Sequence, residues 1–202
     1  MEQLIKYFPL HANNKDVLAE LEEYKADLDI LFKKNLSIQF NNKGKDHAIL
    51  VMSKIFDSSY KSIKIFARDF NGDISDNQLY LESLKAFLSK NESKIQVIFE
   101  GNPNPDSRAL NVLRQFQVKN PEKVELKKAN QTQINEFKEY LINDEKMIHF
   151  AIGDDAEKGF NKYRCETDTK NYIAILNSDD TKFCNTLLKL YAILERGAIA
   201  IN

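Results

Sequence analysis

Residues 14–33 place Val17, Leu21, Tyr24, Leu28 and Leu31 at alternating spacings of four and three. That is one apolar stripe on a helix whose other positions are mostly Glu, Lys and Asp. A stripe of this kind needs a surface to bury against. The protein's own core supplies one, since little more than two heptads is too short to specify a coiled coil; a helical dimer contact is the alternative. A short extended run over residues 36–40 then meets the polar stretch Asn41-Asn42-Lys43-Gly44-Lys45, which reads as a turn. The main boundary is placed there, giving a helical N-terminal segment over 1–45 and an α/β domain over 46–202.

From Asp46 the pattern alternates. A helix carrying Ala48, Ile49, Met52, Ile55 and Phe56 leads into the apolar run Ser62–Ala67, read as a strand. Asp76 is placed as the cap of a second helix, with Tyr80, Leu81, Leu84, Phe87 and Leu88 on one face. That helix returns the chain to a second strand, Lys94–Phe99, parallel to the first as a crossover requires. A turn at Gly101–Pro105 starts a third helix with Ala109, Leu113 and Phe116 inward, followed by a short strand over 123–126. A helix with Ile134, Phe137 and Leu141 precedes three close strand candidates, 147–152, 163–166 and 172–176, whose short connections fit antiparallel pairing. A long helix from about Asp180 ends near Gly197, a suitable C′ residue, and the tail Ala198–Ile201 is apolar enough to pack or pair.

Composition narrows the partners. The chain has 202 residues, 43% apolar and 29% charged, with a net charge of −1 and five arginines among its 29 basic residues, so a broad electrostatic footprint for duplex DNA is not supported. Cys165 and Cys184 lack metal-ligand spacing, the start MEQLIKYFPL has no signal-peptide core, and no window approaches the roughly 20 apolar residues of a membrane span. A reducing cytoplasm is the expected home, with no membrane, metal or cofactor. Both cysteines read as small packing residues, because a nucleophilic thiol needs an activating base beside it.

In open α/β sheets ligands collect beyond the carboxyl ends of the parallel strands. This directs attention to Arg68, Asp69 and Asn71 after the first strand, and to Glu100 and Asn102 after the second. His149 sits in the alternating run Met147-Ile148-His149-Phe150-Ala151-Ile152-Gly153-Asp154, where regular strand geometry sets it on the face of Met147 and Ala151. Asp154 ends that strand. Arg164 and Glu166, two apart on the next candidate, share a face and form with them a polar cluster of mixed sign.

The order of helix, strand Ile63–Ala67 with Arg68-Asp69-Phe70, helix, strand, helix, strand, then Met147–Asp154 and Asn177 before a terminal helix resembles the phospholipase D-like superfamily over residues 46–195. The resemblance implies a mixed sheet flanked by helices. It also implies a His-x-Lys-x4-Asp strand in which the histidine attacks phosphorus, the lysine and a later asparagine hold the phosphate, and two units face each other. Aligned on the terminal aspartate, Asp154 takes the Asp position, His149 the Lys position and Met147 the nucleophile's, while Asn177 falls near the phosphate-binding asparagine. Methionine cannot accept a phosphoryl group, and histidine is a weaker phosphate clamp than lysine.

Three functions follow as expectations. The first is a non-catalytic binding or assembly module that self-associates as a homodimer or takes a protein partner. The second is a phosphodiesterase or nuclease using His149, with Asp154 or Glu166 assisting and Arg68 or Arg164 on phosphate, at a dimer interface. The third is a nucleotide or oligonucleotide sensor with ligand-binding residues drawn from Arg68, Asp69, His149, Arg164 and Asn177. Enzyme activity is the less favoured outcome, because the nucleophile is missing.

Overall fold

A computed structural model describes residues 2–34, 37–42, 44–70, 72–140, 146–154, 158–164, 172–177 and 181–201. After a short helix α1 (Glu2–Ile5) and a 3-10 turn at Pro9–His11 come α2 (Lys15–Lys34), β1 (Ser37–Asn42), α3 (Lys45–Ser58), β2 (Ser62–Ala67), α4 (Gln78–Leu88), β3 (Lys94–Phe99), α5 (Arg108–Lys119) and β4 (Val124–Lys128). Then follow α6 (Gln131–Tyr140), β5 (Lys146–Gly153), β6 (Lys158–Arg164), β7 (Tyr172–Asn177), α7 (Thr181–Glu195) and β8 (Ile199–Ala200).

The strands form one eight-stranded sheet in the order β1-β7-β6-β5-β2-β3-β4-β8. β2, β3 and β4 are parallel, joined by the α4 and α5 crossovers, and every other pairing is antiparallel. β2 and β3 carry one fully buried apolar face, and toward their carboxyl ends, at Phe66 and Ile98, the other face is buried as well. Ile63, Ile65, Ile95, Val97 and Phe99 share one buried cluster with α2, α3, α4 and α5, while Phe66, Ile98, Phe150 and Ile152 share another with α6 and α7. The result is three layers, helix–sheet–helix, an α/β fold as expected.

The α2 stripe is consumed inside the molecule. Leu18, Leu21, Leu28, Leu31 and Phe32 are buried in the same cluster as β2 and β3, and each buried leucine contributes ~1.5–3 kcal/mol. The stripe is therefore not the dimer contact entertained above. β1, although it belongs to the first 45 residues, pairs along its whole length with β7. The apolar tail pairs too, with Lys128 opposite Ile199 and Lys127 opposite Ala200.

Two expected caps are assigned differently by the structure. Asn77, not Asp76, caps α4: its Oδ1 accepts from the Leu79 N–H at 2.8 Å. Asp76 instead reaches across to the next helix, where its carboxylate accepts from Ser107 Oγ (3.1 Å), Arg108 N–H (2.8 Å) and Ala109 N–H (3.3 Å) at the start of α5. Gly197 follows α7 as expected but is not in the left-handed conformation. It is glycine because a Cβ there would stand 2.4 Å from both Asn130 Nδ2 and Gln133 Oε1.

At the amino ends of the parallel strands, helix C-termini are closed by lysines. Lys90 Nζ donates to the carbonyls of Phe56 (3.2 Å), Asp57 (3.2 Å) and Ser59 (2.5 Å) at the end of α3. Lys123 Nζ donates to those of Leu88 (3.3 Å) and Lys90 (2.6 Å) at the end of α4. Cations belong at this pole of a helix, where carbonyls lack intrahelical partners.

Candidate functional site

The carboxyl ends of β2, β3 and β4 form one rim of the sheet. The turn leaving β2 is strained: Phe70 has φ 55°, unusual for a bulky residue. Packing holds it there, since its buried ring meets Phe99 edge-on with centroids 5.0 Å apart and also contacts Tyr80. Backbone hydrogen bonds lace this turn to the one after β3: Glu100 N–H to Ala67 O (2.8 Å), Gly101 N–H to Arg68 O (3.0 Å) and Asn104 N–H to Asp69 O (2.8 Å). The backbone under Arg68 and Asp69 is thus fixed, and the Arg68 side chain is exposed. Glu100 and Asn102 are engaged internally, by Lys138 Nζ (3.2 Å) and Lys128 Nζ (2.6 Å). Asn71 lies outside the described residues.

β5 runs antiparallel to β2, with Phe150 opposite Phe66 and Gly153 opposite Ile63. His149 therefore lies at the carboxyl rim, next to where β2 ends, and Asp154 at the opposite rim. Five residue steps at about 3.3 Å each set their backbones roughly 16 Å apart, so Asp154 is not placed to assist His149. Its carboxylate has another task. Oδ1 accepts from the N–H groups of Tyr60 (2.8 Å), Lys61 (2.7 Å) and Ser62 (3.3 Å), and Oδ2 from Tyr60 N–H (2.9 Å), so it ties down the entry of β2. To do this Asp154 adopts φ 46°, a left-handed conformation that Asp tolerates better than most residues.

β6 and β7 continue the alternation of direction. Arg164, at the carboxyl end of β6, lies at the rim of His149. Asn177 pairs with Gly159 and falls at the far rim, with Asp154. The sequence candidates thus divide: Arg68, Asp69, His149 and Arg164 are brought to one rim, whereas Asn177, expected beside His149, is separated from it by the reversal of β7. Glu166 lies outside the described residues; β6 spans 158–164 and not the expected 163–166, so its face relative to Arg164 does not follow from the strand.

The β5–β6 ladder contains a feature that strict alternation hid. Met147 is opposite Tyr163 and His149 is opposite Lys162, so two steps along β5 match one along β6 and Ile148 is the extra residue of a bulge. The regular period of two, on which the expectation that Met147 and His149 share a face rested, is interrupted there. Beyond it Lys146 is opposite Arg164. Lys146 and Lys162 were not singled out from the sequence; the signal was the alternate basic positions in Lys158-Gly159-Phe160-Asn161-Lys162-Tyr163-Arg164.

Among the described residues no group of three His, Cys, Asp or Glu is arranged to hold a metal ion, and no helix is long and apolar enough to cross a membrane. No family model and no curated protein matches the sequence. Solved structures do match its fold. One is the archaeal chromatin protein TrmBL2, described as showing a novel mode of DNA binding, with a TM-score of 0.53 and 11% identity over 99% of this chain and 69% of that one. Nuc from Salmonella typhimurium, a phospholipase D family member, has a TM-score of 0.52 and 12% identity over 83% of this chain and 98% of its own. NucT from Helicobacter pylori has a TM-score of 0.53 and 16% identity over 82% and 99%. At such identities what is shared is the architecture, a phospholipase D-like fold.

Proposed function

We propose that this chain is a non-catalytic phospholipase D-like module that binds a ligand or partner at the carboxyl rim of its sheet. The observation that carries this reading is the register of β5. The strand offers Met147, which has no group able to form a phospho-enzyme, and a bulge separates it in register from His149. Asp154 strengthens the reading, because its carboxylate is occupied by three backbone N–H groups at the far rim.

The test is hydrolysis of an activated phosphodiester and of single-stranded oligonucleotides, with and without divalent metals. We expect no turnover above buffer. Turnover that His149→Ala abolishes, in a variant that melts like the parent, would establish the alternative of a phosphodiesterase or nuclease acting through His149. Self-association belongs to the same proposal: among the described residues β1 is a six-residue edge strand, and an edge of that length is normally covered or paired. Light scattering on the purified chain at two concentrations should then give the mass of a homodimer. DNA is a candidate partner class, since a structural neighbour over almost the whole chain is a DNA-binding chromatin protein.

A further inference from the structure

Among the described residues no strand pairs with the outer edge of β1, and the ladders of the sheet fix which of its backbone groups lie there. In a strand the N–H and C=O of one residue point to the same neighbouring strand, and those of the next residue to the opposite one. Lys94 N–H donates to Lys61 O (2.7 Å) and Glu100 N–H to Ala67 O (2.8 Å), so the odd residues of β2 bond to β3 and the even ones to β5. Followed across the sheet, Lys64 and Phe66 bond to Ile152 and Phe150, and Ala151 and Gly153 to Phe160 and Lys158. Gly159, Asn161 and Tyr163 then bond to Asn177, Ile175 and Ile173, and Leu176, Ala174 and Tyr172 to Ile38, Phe40 and Asn42. The N–H and C=O groups of Ser37, Gln39 and Asn41 are therefore the ones directed to the outer edge. β1 pairs with β7 over its full length without a bulge, and Ser-Ile-Gln-Phe-Asn-Asn has none of the charge or proline that keeps natural edges apart. The opposite edge of the sheet, β8, is blunted by its length of 2 residues.

We infer that two copies of this chain pair antiparallel along β1, about a two-fold axis at Gln39. The outward positions are self-complementary: Gln39 meets the second copy's Gln39, and Ser37 meets the second copy's Asn41, each such pair exchanging two N–H···O bonds. The positions between them set Ile38 opposite the second copy's Phe40, and Phe40 opposite its Ile38, an aromatic and β-branched pairing that favours this register. β1 carries no charge, so no like charges meet along the contact. A slip by two residues would break one of the hydrogen-bonded pairs and part Ile38 from Phe40. The sheet thus continues through both copies. This rests on the self-association proposed above, and it names the contact and its register.

The experiment combines light scattering with disulfide trapping. Directly opposed, hydrogen-bonded residues of antiparallel strands have Cα atoms about 5.5 Å apart, within the range a disulfide spans. In a Cys165→Ser background, where the remaining Cys184 is buried, Gln39→Cys should therefore cross-link to itself on mild oxidation. Ser37→Cys and Asn41→Cys should each stay uncross-linked alone and join when mixed. Gln39→Lys sets like charges opposite each other on the axis, so it should raise the dissociation constant of the dimer about tenfold while leaving the far-ultraviolet circular dichroism unchanged. A parent chain that is monomeric at high and low concentration overturns the contact and the self-association with it. A dimeric parent in which Gln39→Cys stays uncross-linked overturns the β1 contact alone, whatever Gln39→Lys does, and leaves self-association standing. Should Gln39→Lys fail to fold, the pattern of cross-links decides.

Discussion

Replacing Asp154 separates a structural role from a chemical one. Three N–H groups at the start of β2 point at its carboxylate, and a hydrogen bond to a charged acceptor contributes about 1.5–3 kcal/mol when solvent is excluded. Solvent is only partly excluded: Tyr60 is 68% exposed, so its N–H regains water in the variant, and the hydrogen-bond loss in Asp154→Ala is about 2–3 kcal/mol in place of the full sum. The backbone adds a second cost. At φ 46° an alanine suffers about 1 kcal/mol that glycine avoids. Asparagine keeps both an acceptor and the tolerance for this conformation, losing only the charge. The expected order of destabilisation is therefore Ala, then Gly, then Asn, with Asn within about 1 kcal/mol of the parent. Urea unfolding at constant m value reads these differences, an m of about 2 kcal/mol/M turning the combined alanine loss of about 3–4 kcal/mol into a midpoint shift of about 1.5–2 M. A shift under about 0.3 M for alanine, or alanine equal to glycine, would refute the reasoning.

Gly197→Ala should destabilise by about 1–2 kcal/mol, because its Cβ meets Asn130 and Gln133, and Asn130 cannot move without giving up its bonds to Gln133 N–H and Gly197 O; thermal melting checks this. Asp76→Ala should cost about 1–2 kcal/mol by removing the acceptor for the Arg108 and Ala109 N–H groups at the start of α5, where Ser107 remains the N-cap, while Asp76→Asn retains most of the stability; denaturant midpoints distinguish them. Glu82 is held at about 2, well under its ordinary 4.5, by hydrogen bonds from Gln78 first, then Lys6 and Tyr7. A depressed carboxyl stabilises the fold above its unfolded value, and that contribution is lost as pH falls from about 4.5 towards 2. NMR titration of the Glu82 carboxyl should show the low value, and Lys6→Ala should raise it.

The parallel half of the molecule was legible because its strands concentrate apolar, β-prone residues: Ser62–Ala67 and Lys94–Phe99 appear at the boundaries their apolar runs predict. The antiparallel wing was harder. β6 begins at Lys158, not at Tyr163, since Lys-Gly-Phe-Asn-Lys carries too little apolar alternation to announce a strand. The site suffered from the same limit. A period of two assumes an unbroken ladder, and one extra residue at position 148 regroups Lys146, Met147 and His149. Strand direction was the other hidden variable: Asp154 and Asn177 look close to His149 along the chain, yet each ends a strand at the far rim. Asp76 and Asn77 show the matching ambiguity for caps, where two adjacent acceptors serve two different helices.

The lysines that close the ends of α3 and α4 also set an order of events. The carbonyls of Phe56, Asp57 and Ser59 wait for an ammonium 34, 33 and 31 positions further along, and those of Leu88 and Lys90 for one 35 and 33 positions on. During synthesis each helix thus leaves the ribosome with an unfinished end that only the next strand–helix unit completes. Amide exchange in the last turns of α3 and α4 should be governed by opening of the following unit more than by fraying of the helix itself, so this half of the sheet locks in sequence, each unit sealing the one made before it.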